Sequence, residues 1–443
     1  MKSYSPSHSF SYPRLKQLTN DLLQKTNDIV ASNIYISSCG AAISNTTSNA
    51  TTVAASTSST NGTSSDVPRP IGEKSVSSSV EMFPLLQVLH SSQELCRNLR
   101  SKDQDARIAI VHAYSDKAYN RSSFHLAGRA NEVAQVSSFM ATTAIDLLQA
   151  LSWQQKYTSN TSTDTSQHPL VGLIDHVSVM PMVPSTRIVK EDATNCIKNQ
   201  NYYIDTSNDK HIIMPLEASA LAALHIAHAL EQKGVQCLPY GTAHPKGIPL
   251  ATVRKEWTNF FTSGSLGQYD STYNTNANDK DVKDKNTLGT CTIGSPCHFV
   301  ENFNIRLTSN TTKKQAMALT KRVRQRDGGV LGVEALTLPY SNGRWEVACN
   351  LLKPHEKEGT VDCILEKVRE WAAVMHATDN TSSLVSSASN EYYYSRYVED
   401  SYRVGTTVEQ CFTVLNFKDE EAFRDHDDVV RHGFQANIMG CGE

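Results

Sequence analysis

No run in this chain approaches the ~18 consecutive apolar residues that a membrane-spanning helix needs, so none is expected. A secretory leader is not legible either, because the opening stretch MKSYSPSHSFSYPRLKQL has no apolar core. That stretch is Ser-rich and basic, which leaves an organellar destination open. Residues 15–30, however, carry Asp21 and Asp28 and lead straight into a predicted strand, which argues against cleavage and for a cytoplasmic location. Charge of one sign is missing as well. A formal net charge of −3 gives no electrostatic reason to expect nucleic acid or a membrane as partner. The ten cysteines include no CxxC pair and no tight Cys/His group, so they read as reduced, mostly buried thiols with no metal role. Cys441-Gly442-Glu443 falls one residue short of a prenylation box.

What is present is a chain of 443 residues, 39% of them hydrophobic, interrupted by Ser/Thr/Asn-rich inserts. Two modest packed units fit that length better than three. Residues 33–38 (NIYISS) and 106–111 (ARIAIV) read as strands, as do 121–126 (RSSFHL) and 235–240 (VQCLPY). Residues 80–100, 130–153 and 215–233 carry apolar residues at helical spacing, and a short helix is expected at 254–261. Residues 41–79 have too few large apolar side chains to offset the entropy of ordering, so a disordered insert is expected there. Further on, strands at 299–307, 332–338 and 344–351 alternate with helices at 313–326 and 359–376. That β-α-β-β-α order is most of a ferredoxin-like module, and the whole chain reads as layered α/β (α+β).

The stretch 166–184 (SQHPLVGLIDHVSVMPMVP) carries the clearest candidate for chemistry. His168 is held extended by Pro169 at the mouth of an apolar strand, where a group titrating near neutrality suits a proton-transfer catalyst. A structural or solvated histidine is the competing reading, since the chain has 15 of them. His225 and His228 lie three apart on a predicted helix, a zinc-compatible spacing, but no Glu or Cys ligand pattern accompanies them. The basic cluster at 321–326 reads as a solvated helix face, and the tyrosines at 392–394 and 397 as packing at a domain edge.

Taken together, His168-Pro169, Gly172, Asp175, Asp116, Asn120-Arg121 and Tyr240-Gly241 resemble the formiminotransferase N-terminal subdomain. Phe303-Asn304-Ile305, the block 326–331 (RDGGVL), the block 346–352 (EVACNLL) and 404–407 (VGTT) resemble that family's C-terminal subdomain. The likeness is closest to stand-alone formiminotransferase-like proteins, without the helical cyclodeaminase domain. It implies an extension (1–32), a first subdomain (33–262), a polar linker (263–288), a ferredoxin-like second subdomain (289–416) and a tail (417–443). It also implies transfer of a formimino group from N-formimino-glutamate to N5 of tetrahydrofolate, the folate serving as co-substrate. His168 and Asp116 take the catalytic positions by resemblance, and Arg121 faces a substrate carboxylate. Asn120, Asp175, Tyr240, Gly241, Gly289, Asn302 and Asn304 fall on the substrate and folate contacts. The partners implied are small molecules, with homodimerisation through the second subdomain by analogy.

Three positions depart from the family pattern. Tyr114 stands where the family has an acid, Leu170 follows His-Pro in place of arginine, and residues 281–290 keep only Gly289 of a Gly/Ser/Trp folate segment. These departures favour an alternative, a folate-binding or scaffold protein of the same fold without turnover.

Overall fold

Strands with one apolar and one polar face, rather than wholly apolar strands, build the largest sheet among the described residues. The computed structural model describes residues 13–24, 26, 28–37, 83–103, 105–150, 171–182, 202–205, 212–215, 217–258, 288–379 and 390–439. His168, Leu170 and the expected inserts at 41–79 and 263–287 lie outside these residues.

A short helix α1 (Pro13–Leu23) precedes strand β1 (Ile29–Ile36). Helix α2 (Pro84–Lys102) has proline in its first turn, where a missing N–H costs nothing, and buries Leu85, Leu86, Val88, Leu89 and Cys96. The hairpin β2 (Ile108–Asp116) and β3 (Arg121–Arg129) follows, then the long helix α3 (Ala130–Ala150) and strand β4 (Ile174–Pro181). A two-stranded hairpin, β5 (Tyr202–Asp205) with β6 (Ile212–Pro215), leads to the alanine-rich helix α4 (Ala218–Gln232). Strand β7 (Gln236–Gly241), helix α5 (Leu250–Trp257) and strand β8 (Thr290–Ser295) complete this half.

These strands form one six-stranded sheet in the order β2-β3-β1-β4-β8-β7. The first four pair antiparallel, while β8 runs parallel to both β4 and β7. Val30, Ile34, Ile36, Phe124, Leu126, Val177, Val179 and Ile293 point to one side and pack under α2, α3 and α4. The alternate residues, among them Asn33, Tyr35, Ser123, His125, His176 and Ser178, point to the opposite side. Placing β8 in this sheet moves the sheet boundary past 295, beyond the start expected at 289 for the second unit.

The second half is β9 (Glu301–Leu307), α6 (Lys313–Val323), β10 (Val333–Pro339), β11 (Trp345–Leu351), α7 (Val361–Asp379), α8 (Asn390–Tyr397) and β12 (Val398–Val404). Its sheet order, β10-β11-β9-β12, is antiparallel throughout and is the complete ferredoxin-like arrangement. The fourth strand was not anticipated by the sequence reading. Helix α6 opens with a capping box in which Thr312 and Gln315 satisfy each other's backbone N–H groups. Phe303, Ile305, Leu307, Val347, Cys349 and Leu351 face the helices, with Trp371 and Ile364 of α7 packed against them.

Two closing helices return to the first sheet. Helix α9 (Val408–Leu415) lays Cys411, Val414 and Leu415 on Ala31, Ala109 and Ala127, covering one end of the face opposite the helix layer. Helix α10 (Glu420–Met439) packs along β2 and inserts Phe434 against Phe124 at a ring distance of 5.1 Å. Residues 417–443, expected to be a tail, thus contribute a core helix up to Met439.

Candidate functional site

The uncovered polar faces of the two sheets meet, and most of the residues singled out from the sequence lie along that seam. On β1, Ile34 and Ile36 are driven into the core, so Asn33 and Tyr35 must face the other way. The same alternation turns Arg121, Ser123 and His125 outward on β3, and His176 and Ser178 on β4. A row of rings results. Tyr240 stacks on His176 at 5.5 Å, His176 lies 5.7 Å from Tyr35, Tyr35 is 6.2 Å from His125, and His125 is 5.7 Å from His112.

Charges are embedded beside this row. Asp175 is fully buried and forms an ion pair with Arg121, and a second guanidinium, that of Arg254, stands 4.0 Å away. Arg121 also lies over the Tyr35 ring at 5.4 Å. Burial pulls the Arg254 guanidinium down to about 10. Burial likewise holds His176 well below its ordinary pKa, and the Arg254 and Arg121 charges push it further down. His125 is held well below by burial, then by His112. Both imidazoles are therefore neutral at pH 7, with Nδ1 of His176 against the Thr292 carbonyl at 3.0 Å and Nδ1 of His125 against Asn33 Oδ1 at 2.7 Å.

The second sheet answers with amides, tyrosines and one carboxylate. Asn302, Asn304 and Arg306 share the face of β9 opposite its core residues, and the register sets Asn350, Ala348 and Glu346 of β11 directly across from them. Asn302 donates to Asn350 Oδ1 at 2.7 Å and accepts from the Tyr35 hydroxyl of the first sheet at 3.3 Å. Asn304 donates to Glu346 Oε1 at 2.8 Å. Glu346 is 0% exposed and takes further hydrogen bonds from Tyr402 at 2.7 Å and from Tyr119 of the β2–β3 turn at 2.8 Å. Arg306 lies over Tyr340 at 4.3 Å and over Tyr402 at 5.1 Å.

Asp116, at the end of β2, is buried and accepts from the Tyr119 backbone N–H at 3.0 Å, directly across the ladder from Arg121. Asn120 holds the left-handed conformation of that turn, with φ of 48°. Tyr114, two residues before Asp116, has its phenol raised by burial and then by the Asp116 charge. Gly241 and Gly289 sit at backbone crossings. A Cβ on Gly241, whose φ is 60°, would overlap the Ser295 carbonyl. One on Gly289, with φ of 75°, would lie 2.6 Å from the Gly172 Cα. Both glycines border β8 on the first sheet, the close approach explaining why neither carries a side chain.

The seam therefore gathers Asp116, Asn120, Arg121, Asp175, Tyr240, Asn302 and Asn304, while His168 lies outside the described residues. It also holds Tyr35, His125, His176, Arg254, Glu346 and Tyr402, which the sequence reading did not single out. For Tyr35, His125, His176 and Glu346 the signal was a polar residue at alternate positions of a strand whose other face is apolar; Arg254 stands on helix α5 and Tyr402 on the polar edge strand β12. His225 and His228 of α4 sit away from the seam, with His225 Nδ1 against Asn20 Oδ1 at 2.8 Å and His228 against Gln232 at 3.0 Å.

What the fold and seam define is an α+β protein in which two sheets press polar faces together around buried charges. No protein-family profile matches the chain. A relative from Arabidopsis thaliana, the formiminotransferase cyclodeaminase-like protein, is 22% identical over 263 residues, covering 57% of this chain and 74% of that relative. Among solved structures, the periplasmic protease PqqL from Escherichia coli aligns at a TM-score of 0.15 and 9% identity, and the chain spans 41% of its length. A superposition that poor carries no argument.

Proposed function

We propose that this protein is a folate-dependent one-carbon transferase that moves a formimino group from N-formimino-glutamate to N5 of tetrahydrofolate. In that reaction N5 attacks the formimino carbon, the bond from that carbon to the glutamate nitrogen breaks, and the N5 proton must reach the departing amine. His168 is the residue proposed to carry it as general acid/base, since both forms of a solvated imidazole are populated near pH 7. The observation that supports this reading most is the gathering of Asp116, Asn120, Arg121, Asn302 and Asn304 on one seam between two sheets. The similarity to a relative whose name includes formiminotransferase points the same way. In this reading the asparagine amides meet the polar edge of the pterin.

A steady-state assay with N-formimino-glutamate and tetrahydrofolate is the test. Activity that His168→Ala lowers by at least about 100-fold is the expected outcome for a general acid/base; unchanged activity in that variant removes the proposed role.

A second reading, a folate-binding protein without turnover, draws on a specific observation. Two of the three imidazoles of the row, His125 and His176, are buried and neutral, and Arg121 is already paired with Asp175. Calorimetry separates the two, because binding of a reduced folate without measurable transfer favours the second reading. Absence of any folate binding removes both.

A further inference from the structure

The four residues between β2 and β3 carry Asn120 and lead into Arg121, and a phenol among them reaches the second sheet. The Tyr119 hydroxyl donates to Glu346 Oε1 at 2.8 Å, and its ring meets Tyr340 edge-on at 5.2 Å. Glu346 is not a surface group that happens to be near. It is completely buried, and its two oxygens also accept from Asn304 on β9 and Tyr402 on β12, with Arg306 Nε 3.9 Å away. One carboxylate thus collects donors from three separate chain segments and both sheets. A hydroxyl or an amide in its place could not accept from all three at once, since each carboxylate oxygen has two lone-pair sites.

We infer that Glu346 is a positioning residue: it fixes the β2–β3 turn, and with it Asn120 and Arg121, against Asn304 of the second sheet. Its contact with a ligand is not required, and its full burial argues against one. What it does is keep the two halves of the seam in register. Charge-assisted bonds suit the task because they are stronger and shorter than neutral ones, so a single phenol can hold the turn. That these residues then meet a folate rests on the function proposed above.

The experiment compares the full-length wild type with Tyr119→Phe, Tyr402→Phe, Glu346→Gln and Glu346→Ala. Hydrogen exchange of the backbone amides at 117–121 is measured first, with no ligand present. Loss of a hydrogen bond to a charged group is expected to speed exchange at the turn about ten-fold or more in Tyr119→Phe. Tyr402→Phe removes the same kind of bond within the second unit, so the turn stays at the wild-type rate. Glu346→Gln keeps an acceptor for Tyr119 and retains protection that Glu346→Ala loses.

Binding of 5-formyltetrahydrofolate, a stable reduced folate, is measured second. Tyr119→Phe is expected to weaken it about ten-fold, and any transferase activity shows the change in KM rather than kcat. Equal loosening of the turn by Tyr402→Phe and Tyr119→Phe overturns the inference, because the effect would then be general destabilisation. An unaltered turn in Glu346→Ala overturns it too. If the wild type does not bind the folate at all, the functional reading fails while the exchange data still decide the role of Glu346.

Discussion

The two faces that meet at the seam solve the same problem with opposite means. Each belongs to a sheet whose other face is closed by helices, and each must bury polar groups without leaving them unsatisfied. The first face is built on buried ion pairing. It sets two guanidiniums, Arg121 and Arg254, around one buried carboxylate, Asp175, and flanks them with neutral imidazoles and phenols. The second face is centred on an anion, Glu346, and surrounds it with phenols, an amide and Arg306. Guanidiniums paired with a buried carboxylate on one side and a heavily hydrogen-bonded carboxylate on the other make complementary surfaces. Surface complementarity of this kind fixes register more than it adds affinity.

The largest effect is expected where Arg121 and Arg254 lose the fully buried carboxylate they share. Asp175→Ala leaves two guanidiniums facing each other in a dry environment, and removing one partner of a buried pair typically costs about 3–5 kcal/mol. Urea unfolding of the variant should show that loss, with an unchanged dependence on denaturant. A loss below about 1 kcal/mol would mean that water reaches the pair and that this face is less closed than described.

Titration sharpens the comparison, because the two faces respond to acid in opposite directions. His125 and His176 have folded pKa values held below the ordinary 6.5, mainly by burial. The unfolded chain therefore binds protons first as pH falls below 6.5, so their contribution is intact above that pH and declines beneath it. Each residue can remove up to about 1.4 kcal/mol per pH unit in that window. Glu346 works the other way. Its carboxyl is raised by burial against the pull of the Tyr402 and Tyr119 hydroxyls, so the folded state takes up its proton first as pH falls. Between pH 6.5 and 5 the histidine pair lowers the unfolding midpoint, together with His112, His244, His298 and His426, which burial also holds low. In His176→Gln the slope over that range should fall by one imidazole's share, up to about 1.4 kcal/mol per pH unit; an unaltered slope would show that His176 titrates as freely folded as unfolded.

Much of the architecture was legible because core-facing residues recur at fixed periods. The helices at 130–150 and 218–232 and the strands around 108, 121, 301 and 345 all lie close to their expected places. Four strands were not legible: β5 and β6 fall where no strand was expected, and β8 and β12 escaped for different reasons. Strand β8 (TCTIGS) is only six residues long, contains glycine and follows a polar insert, and its burial comes from parallel neighbours far away in sequence. Strand β12 (VEDSYRV) is an exposed edge whose polar pattern carries no apolar signal, so only its pairing with β9 makes it a strand.

The site divides along the same line. Asp116, Arg121, Asn302 and Asn304 stood out through resemblance and turn chemistry. Tyr35, His125, His176 and Glu346 did not, because the strands expected at 33–38, 121–126 and 344–351 and the apolar run before Pro181 gave their polar members no evident destination. Arg254 was hidden by the expected start of its helix, which begins four residues earlier at Leu250. A buried polar residue acquires meaning only when the opposite surface is known. Tertiary partners supply that surface, and local pattern does not contain it.

The smallest expected effect concerns a place where backbone of the second unit lies against an imidazole of the first. Gly405 has φ of 99°, and a Cβ there would overlap the His125 ring. His125 cannot easily step aside, because Asn33 and Ser123 hold its two nitrogens and Tyr35 and His112 flank its ring. Gly405→Ala therefore pairs an unfavourable backbone conformation with a steric overlap, each worth about 1–3 kcal/mol if unrelieved. Relief is available, since β12 is an edge strand that can shift outward as a body, so a net loss of about 1–3 kcal/mol is expected. A shift of that kind draws Tyr402 with it, because Tyr402 lies on β12, three residues before Gly405. The fluorescence and exchange of the seam should then change along with stability. Should His125→Ala in the Gly405→Ala background fail to restore any stability, the overlap is not the cause, and the two units meet less tightly at β12 than the ring contact implies.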